Sequence, residues 1–558
     1  MRLAALVVAL AWPLAAQELE KLFEQEWERS LRISPIFAST MGDRRYAQKW
    51  PDLSPTALER DYNDTKAALA RLRALPPTPA QAVNRAIFER MLSEQAEEYE
   101  LGWRCVPVNM RDGIQNTADV ANLLNLREGR DARDWLARLR AFPVYMDQTI
   151  ALMREGVRRK LVQPKIVMQR VPGQIERQLA SNPFLPPFAT HPPELRNEAK
   201  LVIETAVLPA LRKFKQFLEA EYLPACYDGV GIWQAPEGAK LYSYFARNFT
   251  TTALTPDEIH AIGLREVARI RDEMYSVQRK VGFAGTLPEF FQYLRTEPRF
   301  YYASSAELLD GYRAMAKRID PTLVKLFRKL PRTPYGVDPI PAEIAPDTTA
   351  AYYQPPAGDG SRAGMYHVNL YKPEMRPKWE MMALSLHESV PGHHTQIAYA
   401  QEMGEVPKFR RFQASFTAYV EGWALYAESL GDELGLYDDP YSKFGQLTYE
   451  MWRAVRLVVD TGIHHKRWSR QQAIDYFLAN APKTELDVTN EIDRYIGWPG
   501  QALGYKIGEL KIKELRRRTQ EKLGPKFDVR EFHDVVLSTG AVPLDVLEKR
   551  VMDWVNGN

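Results

Sequence analysis

From Asp257 to Val281 the apolar residues Ile259, Ile262, Val267, Ile270, Met274 and Val277 recur close to every 3.6 residues, the spacing of one helix face. The segment opens on Thr255-Pro256-Asp257-Glu258, in which Thr can cap, Pro suits the first turn and Glu can reach back to the cap. Comparable patterns occupy roughly 18–32, 56–73, 80–101, 130–160, 195–222, 305–330, 378–390, 408–434, 442–466, 470–480, 500–522 and 544–555. Proline-rich connectors separate them at Pro76 to Pro79, Leu185 to Pro193 and Pro331 to Pro346. One stretch departs from the pattern. Arg362 to Tyr371 follows a Pro/Gly-rich lead, is rich in β-branched and aromatic residues, and is too short for a useful helix, so it reads as a strand. The expected fold is mainly α with a small β-sheet.

At 558 residues the chain exceeds one ordinary core, since domains run about 50–250 residues. A boundary is expected near residue 230, after Pro224-Ala225-Cys226-Tyr227-Asp228-Gly229, with an N-terminal helical half over 17–230 and a C-terminal half over 231–558. Ahead of both, Met1-Arg2 precedes apolar Leu3 to Trp12 and then Pro13-Leu14-Ala15-Ala16, the pattern of a secretory signal over 1–16. That implies export, to a periplasmic or extracellular location where Cys105 and Cys226 are permitted to pair. The apolar run is about half of the ~20 residues that a spanning helix needs, so no stable membrane insertion is expected. No Cys follows it, which leaves lipid anchoring at that point unsupported. Lys and Arg number 74 against 71 Asp and Glu, a net charge of +3, so the concentrated positive field that a nucleic acid requires is missing.

The chain has nine histidines, and three fall within His387-Glu388-Ser389-Val390-Pro391-Gly392-His393-His394. With only two cysteines, His and acidic side chains are the available metal ligands. His-Glu followed by His is what metal-assisted hydrolysis requires: imidazoles hold Zn²⁺, and the carboxylate beside the first ligand takes a proton from the attacking water. In the familiar HExxH spacing the second His sits one turn after the first, but here that position is Pro391. An unbroken helix would turn His393 about 120° off the His387 face and carry His394 about 10 Å further along the axis. Pro391 and Gly392 make an unbroken helix unfavourable. The geometry favours His393 as second ligand, leaving His394 to shape the pocket or contact substrate.

A third ligand is expected from Phe416 to Glu428, a strongly apolar segment with Glu421 and Glu428 seven residues apart on one helical face. A carboxylate there is costly unless it is paired or bound to a metal. Glu421 lies deeper in the apolar run and is the expected ligand, with Glu428 orienting a histidine.

These residues resemble a large, mostly bacterial family of unknown function whose signature is His-Glu-x-x-Pro-Gly-His-His and whose neighbours are zinc peptidases with a Glu ligand. Further blocks carry the resemblance along the chain: Ser34-Pro35 with Gly42, Leu254 to His260 with Gly263-Leu264, Glu421 to Tyr426, and Pro499 to Leu503 with Tyr505-Lys506. The resemblance implies a large helical body divided by a deep cleft, one Zn²⁺ ion at its floor, a small sheet beside the metal-binding helix, and a peptide substrate. It implies Glu388 as general base, His387, a second His and Glu421 as ligands, and Tyr495 or Tyr505 as the oxyanion donor. It also implies that the strand before the His-Glu helix pairs with substrate backbone, with Tyr366, His367 and Asn369 along it. Arg453, Arg456, His464 and His465 offer a grip for a substrate carboxylate or a structural salt bridge with Asp460 or Glu450.

Three activities share this ligand set: hydrolysis of peptide bonds, hydrolysis of small amides, and metal-dependent binding without turnover. A binder has no need of a carboxylate beside its first ligand, so Glu388 weighs toward an enzyme, a zinc metallopeptidase first among them.

Overall fold

Thr255 caps the helix that its sequence predicts. Its Oγ1 accepts from the Glu258 amide at 3.3 Å, and the Glu258 carboxylate accepts from the Thr255 amide at 2.8 Å. This helix, α1, runs Pro256–Lys280 in a computed structural model that describes every residue except Met1, Asn125, Arg127, Glu343, Ile344, Thr348 and Asn558, with the side chains of 2–15 and 347 also outside the description. The leader expected over 1–16 thus falls almost wholly on side chains outside the described residues. The chain is mainly α, with one three-stranded sheet among the described residues. No described helix is long and apolar enough to cross a membrane.

The chain forms two compact units, Met1–Leu241 with Ile496–Trp498, and Tyr242–Tyr495 with Pro499–Asn558. In the first, the helical pattern over 130–160 is two helices, Gly129–Arg140 and Phe142–Arg159. Pro143 explains the break, because it has no amide hydrogen to continue the first helix and fits the first turn of the second. Trp135, Leu139, Phe142, Met146 and Phe184 are buried in its core. Cys105 and Cys226 are both buried and free.

The second unit holds the sheet: β1, Tyr335–Pro339; β2, Ala351–Gln354; and β3, Gly364–Val368. The order is β1-β3-β2, with β1 parallel and β2 antiparallel to β3. The predicted strand over 362–371 is therefore β3, and it is central. The Pro-rich stretch over 331–346, expected to be a connector, contains β1 instead. Its pairing partner lies nearly thirty residues ahead, beyond the reach of local pattern. Tyr366 and Val368 point inward from β3 and pack with Met381, Ala383 and Leu384 of α2, Lys378–Glu388.

After α2 come α3, His393–Gln401; α4, Thr417–Ser429; α5, Pro440–His464; α6, Glu485–Gly497; and α7, Gly504–Leu523. A Cβ at Gly508 of α7 would collide with the Ala418 carbonyl of α4, so these helices meet backbone to backbone. Lys506, with no solvent exposure, donates to Glu450 of α5 at 2.7 Å and to Glu509 at 2.5 Å, and lies 3.1 Å from Glu266 of α1. One ammonium thereby joins α1, α5 and α7.

Candidate functional site

The helix that carries His387 breaks ahead of Pro391 and Gly392 as expected, two residues sooner than the 378–390 pattern suggests. Glu388 is its last residue, and Ser389 turns its hydroxyl back to donate to the Ser385 carbonyl at 2.6 Å. The chain then folds over Pro391 and Gly392 and starts α3 at His393. A side chain at Gly392 would strike the carbonyl oxygens of Leu386 and His387, so only glycine lets the new helix begin against the end of the old one. Trp423 of α4, fully buried, donates its indole N–H to the Pro391 carbonyl at 2.8 Å and holds the turn in place.

The result is a cluster. The Oε2 atom of Glu421 lies 3.4 Å from His387 Nε2 and 3.5 Å from His393 Nε2, and the ligand atoms of all three residues fall within 4.8 Å of one another. Ligands ~2.0–2.1 Å from a tetrahedral ion are about 3.4 Å apart, so these separations fit one small metal ion. Glu421 Oε2 is buried and has no hydrogen-bond partner among the described residues, as expected of an atom whose partner is a metal ion. Behind the cluster, His387 Nδ1 lies 2.8 Å from Glu428 Oε1, and Glu428 is wholly buried. Because a carboxylate only accepts, His387 keeps a proton on Nδ1, and Nε2 is the nitrogen that faces the cluster and that a metal ion would take in place of its proton. Burial alone would lower the His387 pKa, but the Glu421 and Glu428 carboxylates lift it to about 9 in the metal-free chain. Burial likewise opposes ionisation of Glu421, and the two imidazoles outweigh it and hold that carboxyl well below its usual range.

These three residues line a cavity of about 280 Å³, together with Glu388, Tyr449, Arg453, Arg456, Glu491, Arg494 and Tyr505. Thr349 to Tyr353, including the first three residues of β2, line it as well.

Other sequence-predicted residues stand elsewhere. His394 does not join the cluster. Its Nε2 faces the Thr333 carbonyl at 3.0 Å and must donate, so its Nδ1 accepts from the Tyr353 hydroxyl at 2.8 Å. Burial lowers its pKa to about 4, consistent with a neutral ring that orients Tyr353 at the cavity wall. Tyr366 belongs to the core, and Asn369 is buried with its amide donating to the carbonyls of Ala345 and Thr349 at 2.8 and 3.0 Å. His367 bonds to Gln354 at 3.1 Å and packs on Tyr352, and is not itself among the residues that line the cavity. His464 lies 2.9 Å from the Tyr495 carbonyl, in the interior. His465 pairs with Asp257 near the surface. Of the two expected oxyanion donors, Tyr505 reaches the cavity. The Tyr495 hydroxyl does not: it donates to Glu491 at 2.8 Å and accepts from Arg456 at 2.9 Å and Trp452 at 3.1 Å.

The rail expected on Arg362 to Tyr371 requires correction. As the central strand, β3 has a neighbour on both sides and no edge to offer. The strand with an open side and residues in the cavity wall is β2.

Sequence reasoning missed Glu491 and Arg494 in the cavity wall, because the helix over 485–497 was not recognised. Glu491, Arg494 and Tyr495 at i, i+3 and i+4 are the signal that was available.

A sequence model described as "Bacterial protein of unknown function (DUF885)" matches residues 35–551. A crystal structure of a candidate lipoprotein from Colwellia psychrerythraea is similar at 31% identity and a TM-score of 0.93, over 98% of this chain and 100% of that one. A candidate lipoprotein of unknown function from Shewanella oneidensis shares the fold at 17% identity and a TM-score of 0.73, over 96% and 99% of the two chains. Comparison with curated proteins gave no match.

Proposed function

The chain belongs to the DUF885 family of bacterial proteins of unknown function, and from that starting point we propose that it is an exported zinc-dependent metallopeptidase acting on short peptides. The carrying observation is the gathering of three ligand atoms within 4.8 Å of one another, with Glu421 3.4 and 3.5 Å from the two imidazoles and Glu388 one residue beyond His387 in the wall of the same cavity. His387, His393 and Glu421 would hold the ion. Two imidazoles and one carboxylate form a three-ligand set of the kind that catalytic zinc sites use, with a fourth position left for water or substrate. When bound, the ion would supply a Lewis acid beside the scissile carbonyl.

The remaining work falls to the chain's own side chains. Glu388 accepts a proton from the attacking water and delivers it to the leaving amine. Tyr505 donates its hydroxyl to the oxyanion that develops on the carbonyl oxygen, an interaction worth about 2–4 kcal/mol in the transition state. The open side of β2 pairs with the backbone of an extended peptide, which needs no charged substrate and suits a nearly neutral protein. Export is supported by the apolar run over Leu3 to Trp12 and by the lipoprotein descriptions of the two similar structures.

The test is metal analysis of the purified protein together with cleavage of a peptide library by wild type, Glu388→Gln and His387→Ala. The expected result is one zinc ion in wild type and Glu388→Gln, cleavage by wild type alone, and loss of metal from His387→Ala. Full cleavage by a zinc-loaded Glu388→Gln rules out the mechanism. A purified protein that takes up no transition metal rules out the site.

A further inference from the structure

We propose that Arg453, Arg456 and Arg494 form a carboxylate subsite in the cavity that receives the free C-terminus of a peptide. The proposal rests on the peptidase reading and deepens it, from peptide bonds in general to bonds close to a chain end. All three arginines line the cavity that also holds His387, His393 and Glu421. Arg453 and Arg456 stand one turn apart on α5, and Arg494 comes from α6. Their side chains are only 7%, 6% and 11% exposed.

Among the described residues, each of them keeps a buried N–H without a hydrogen-bond partner. Arg453 donates through Nη1 to the Tyr449 carbonyl at 3.3 Å and places Nη2 3.5 Å from Glu428, but its Nε has no acceptor among the described residues. Arg456 uses Nε on the Tyr495 hydroxyl and Nη2 on Glu491 at 3.2 Å, and its Nη1 has none. Arg494 donates through Nη2 to Gln501 at 3.2 Å, and its Nε, 3.7 Å from Glu491, makes no hydrogen bond. Three guanidiniums thus face two carboxylates, and both acids have other donors: Glu428 accepts from His387, and Glu491 from Tyr495.

The three arginines line one cavity with donors to spare, and the group best matched to forked guanidinium donors is a carboxylate, whose two oxygens only accept. The aromatic neighbours hold these planar groups in place. The Arg456 guanidinium lies 4.3 Å over the Tyr505 ring, and that of Arg453 lies 4.7 Å over Tyr449. A peptide whose terminus is an amide would bring an NH₂ group against these donors. An internal stretch of chain would bring no charge at all. The link from His387 through Glu428 to Arg453 places the subsite next to the candidate ligands, so the bond cut lies near the bound terminus.

The experiment is calorimetric binding to the full-length Glu388→Gln protein, which is not expected to turn substrate over. The probes are N-acetylated tripeptides in three forms: free acids, C-terminal amides, and amides with a Glu side chain. Free acids are expected to bind at least tenfold more tightly than either amide, and Arg494→Gln and Arg456→Met are each expected to bring that ratio toward one. Arg494→Gln alters the more exposed guanidinium and guards against a failure of Arg456→Met to fold. Equal binding of acids and amides, no binding of either, or a preference that follows the Glu side chain overturns the subsite. Mass spectrometry of the same peptides after incubation with zinc-loaded wild type separates the two readings. Acid-selective binding without hydrolysis leaves the subsite standing and removes the peptidase. Equal hydrolysis of acids and amides does the reverse.

Discussion

His387 Nδ1 and Glu428 Oε1 lie 2.8 Å apart on two neighbouring helices, and this contact decides which nitrogen of the ring is free to bind a metal ion. Glu428 has no solvent exposure, and among the described residues His387 and Arg453, the latter 3.5 Å away, stand against its carboxylate. Glu428→Gln keeps the shape and removes the charge. Zinc affinity is expected to fall about 10–100-fold, the usual effect of losing a carboxylate behind a His ligand. Competition with a chromophoric chelator measures it, and an unchanged affinity would count against His387 as a ligand.

The two tyrosines that flank the Pro499-Gly500 turn differ in what their hydroxyls already do. Tyr495 is committed to Glu491, Arg456 and Trp452, whereas Tyr505 stands in the cavity wall. If the peptidase reading holds, Tyr505→Phe is expected to lower kcat about 10²–10³-fold with KM little changed, because the bond forms only as the oxyanion develops. Tyr495→Phe is expected to show the opposite pattern, a loss of about 1–3 kcal/mol in stability with a much smaller change in kcat. Steady-state kinetics and urea unfolding on both variants decide the assignment.

Lys506 offers a test of the fold that does not depend on activity. It is fully buried among Glu266, Glu450 and Glu509, and those carboxylates raise its pKa although burial opposes them. Lys506→Met leaves the acids packed together without their shared cation. The expected cost is about 3–5 kcal/mol, because breaking a buried ion pair from one side strands the other. Denaturant titration of the two proteins measures it, and a loss below 1 kcal/mol would show that Arg269 and Lys513 suffice for these acids.

What the sequence made legible was whatever local chemistry enforces. The Thr255 cap, the helix break at Pro391-Gly392, the inward-facing acids Glu421 and Glu428, and the preference for His393 over His394 all follow from spacing within a few residues. What escaped depends on long-range pairing. Tyr335 meets Gly364 across a stretch that reads as a Pro-rich linker, so β1 was invisible and β3 was mistaken for an edge. Glu491 and Arg494 were lost with the helix over 485–497, whose acidic and polar opening masks its buried face at Val488, Ile492 and Ile496. Tyr366 and His367 lie on the central strand β3 and Asn369 just beyond its end, and each is engaged in contacts away from the ligand cluster.

Asp460 provides a prediction in pH. It lies wholly buried on α5, accepting from the Tyr242 hydroxyl at 2.6 Å and from the Gly500 amide at 3.2 Å. Burial pushes its pKa up to about 7, against the pull of those two donors. In the unfolded chain the same group titrates near ~3.9. Between about pH 4 and pH 7 the folded protein therefore holds a proton that the unfolded one has released, and stability falls as pH rises. This contribution is whole below pH 4, drains across the window and is gone above pH 7, with a total on the order of 4 kcal/mol. Asp460→Asn has no proton to lose, so the stability of wild type relative to the variant is expected to decline steadily from pH 4.5 to 8. Urea unfolding of both proteins at pH 4.5, 6 and 8 measures that difference, in which the other titrating groups cancel. A difference that does not change with pH would mean that Asp460 is ionised in the folded interior throughout.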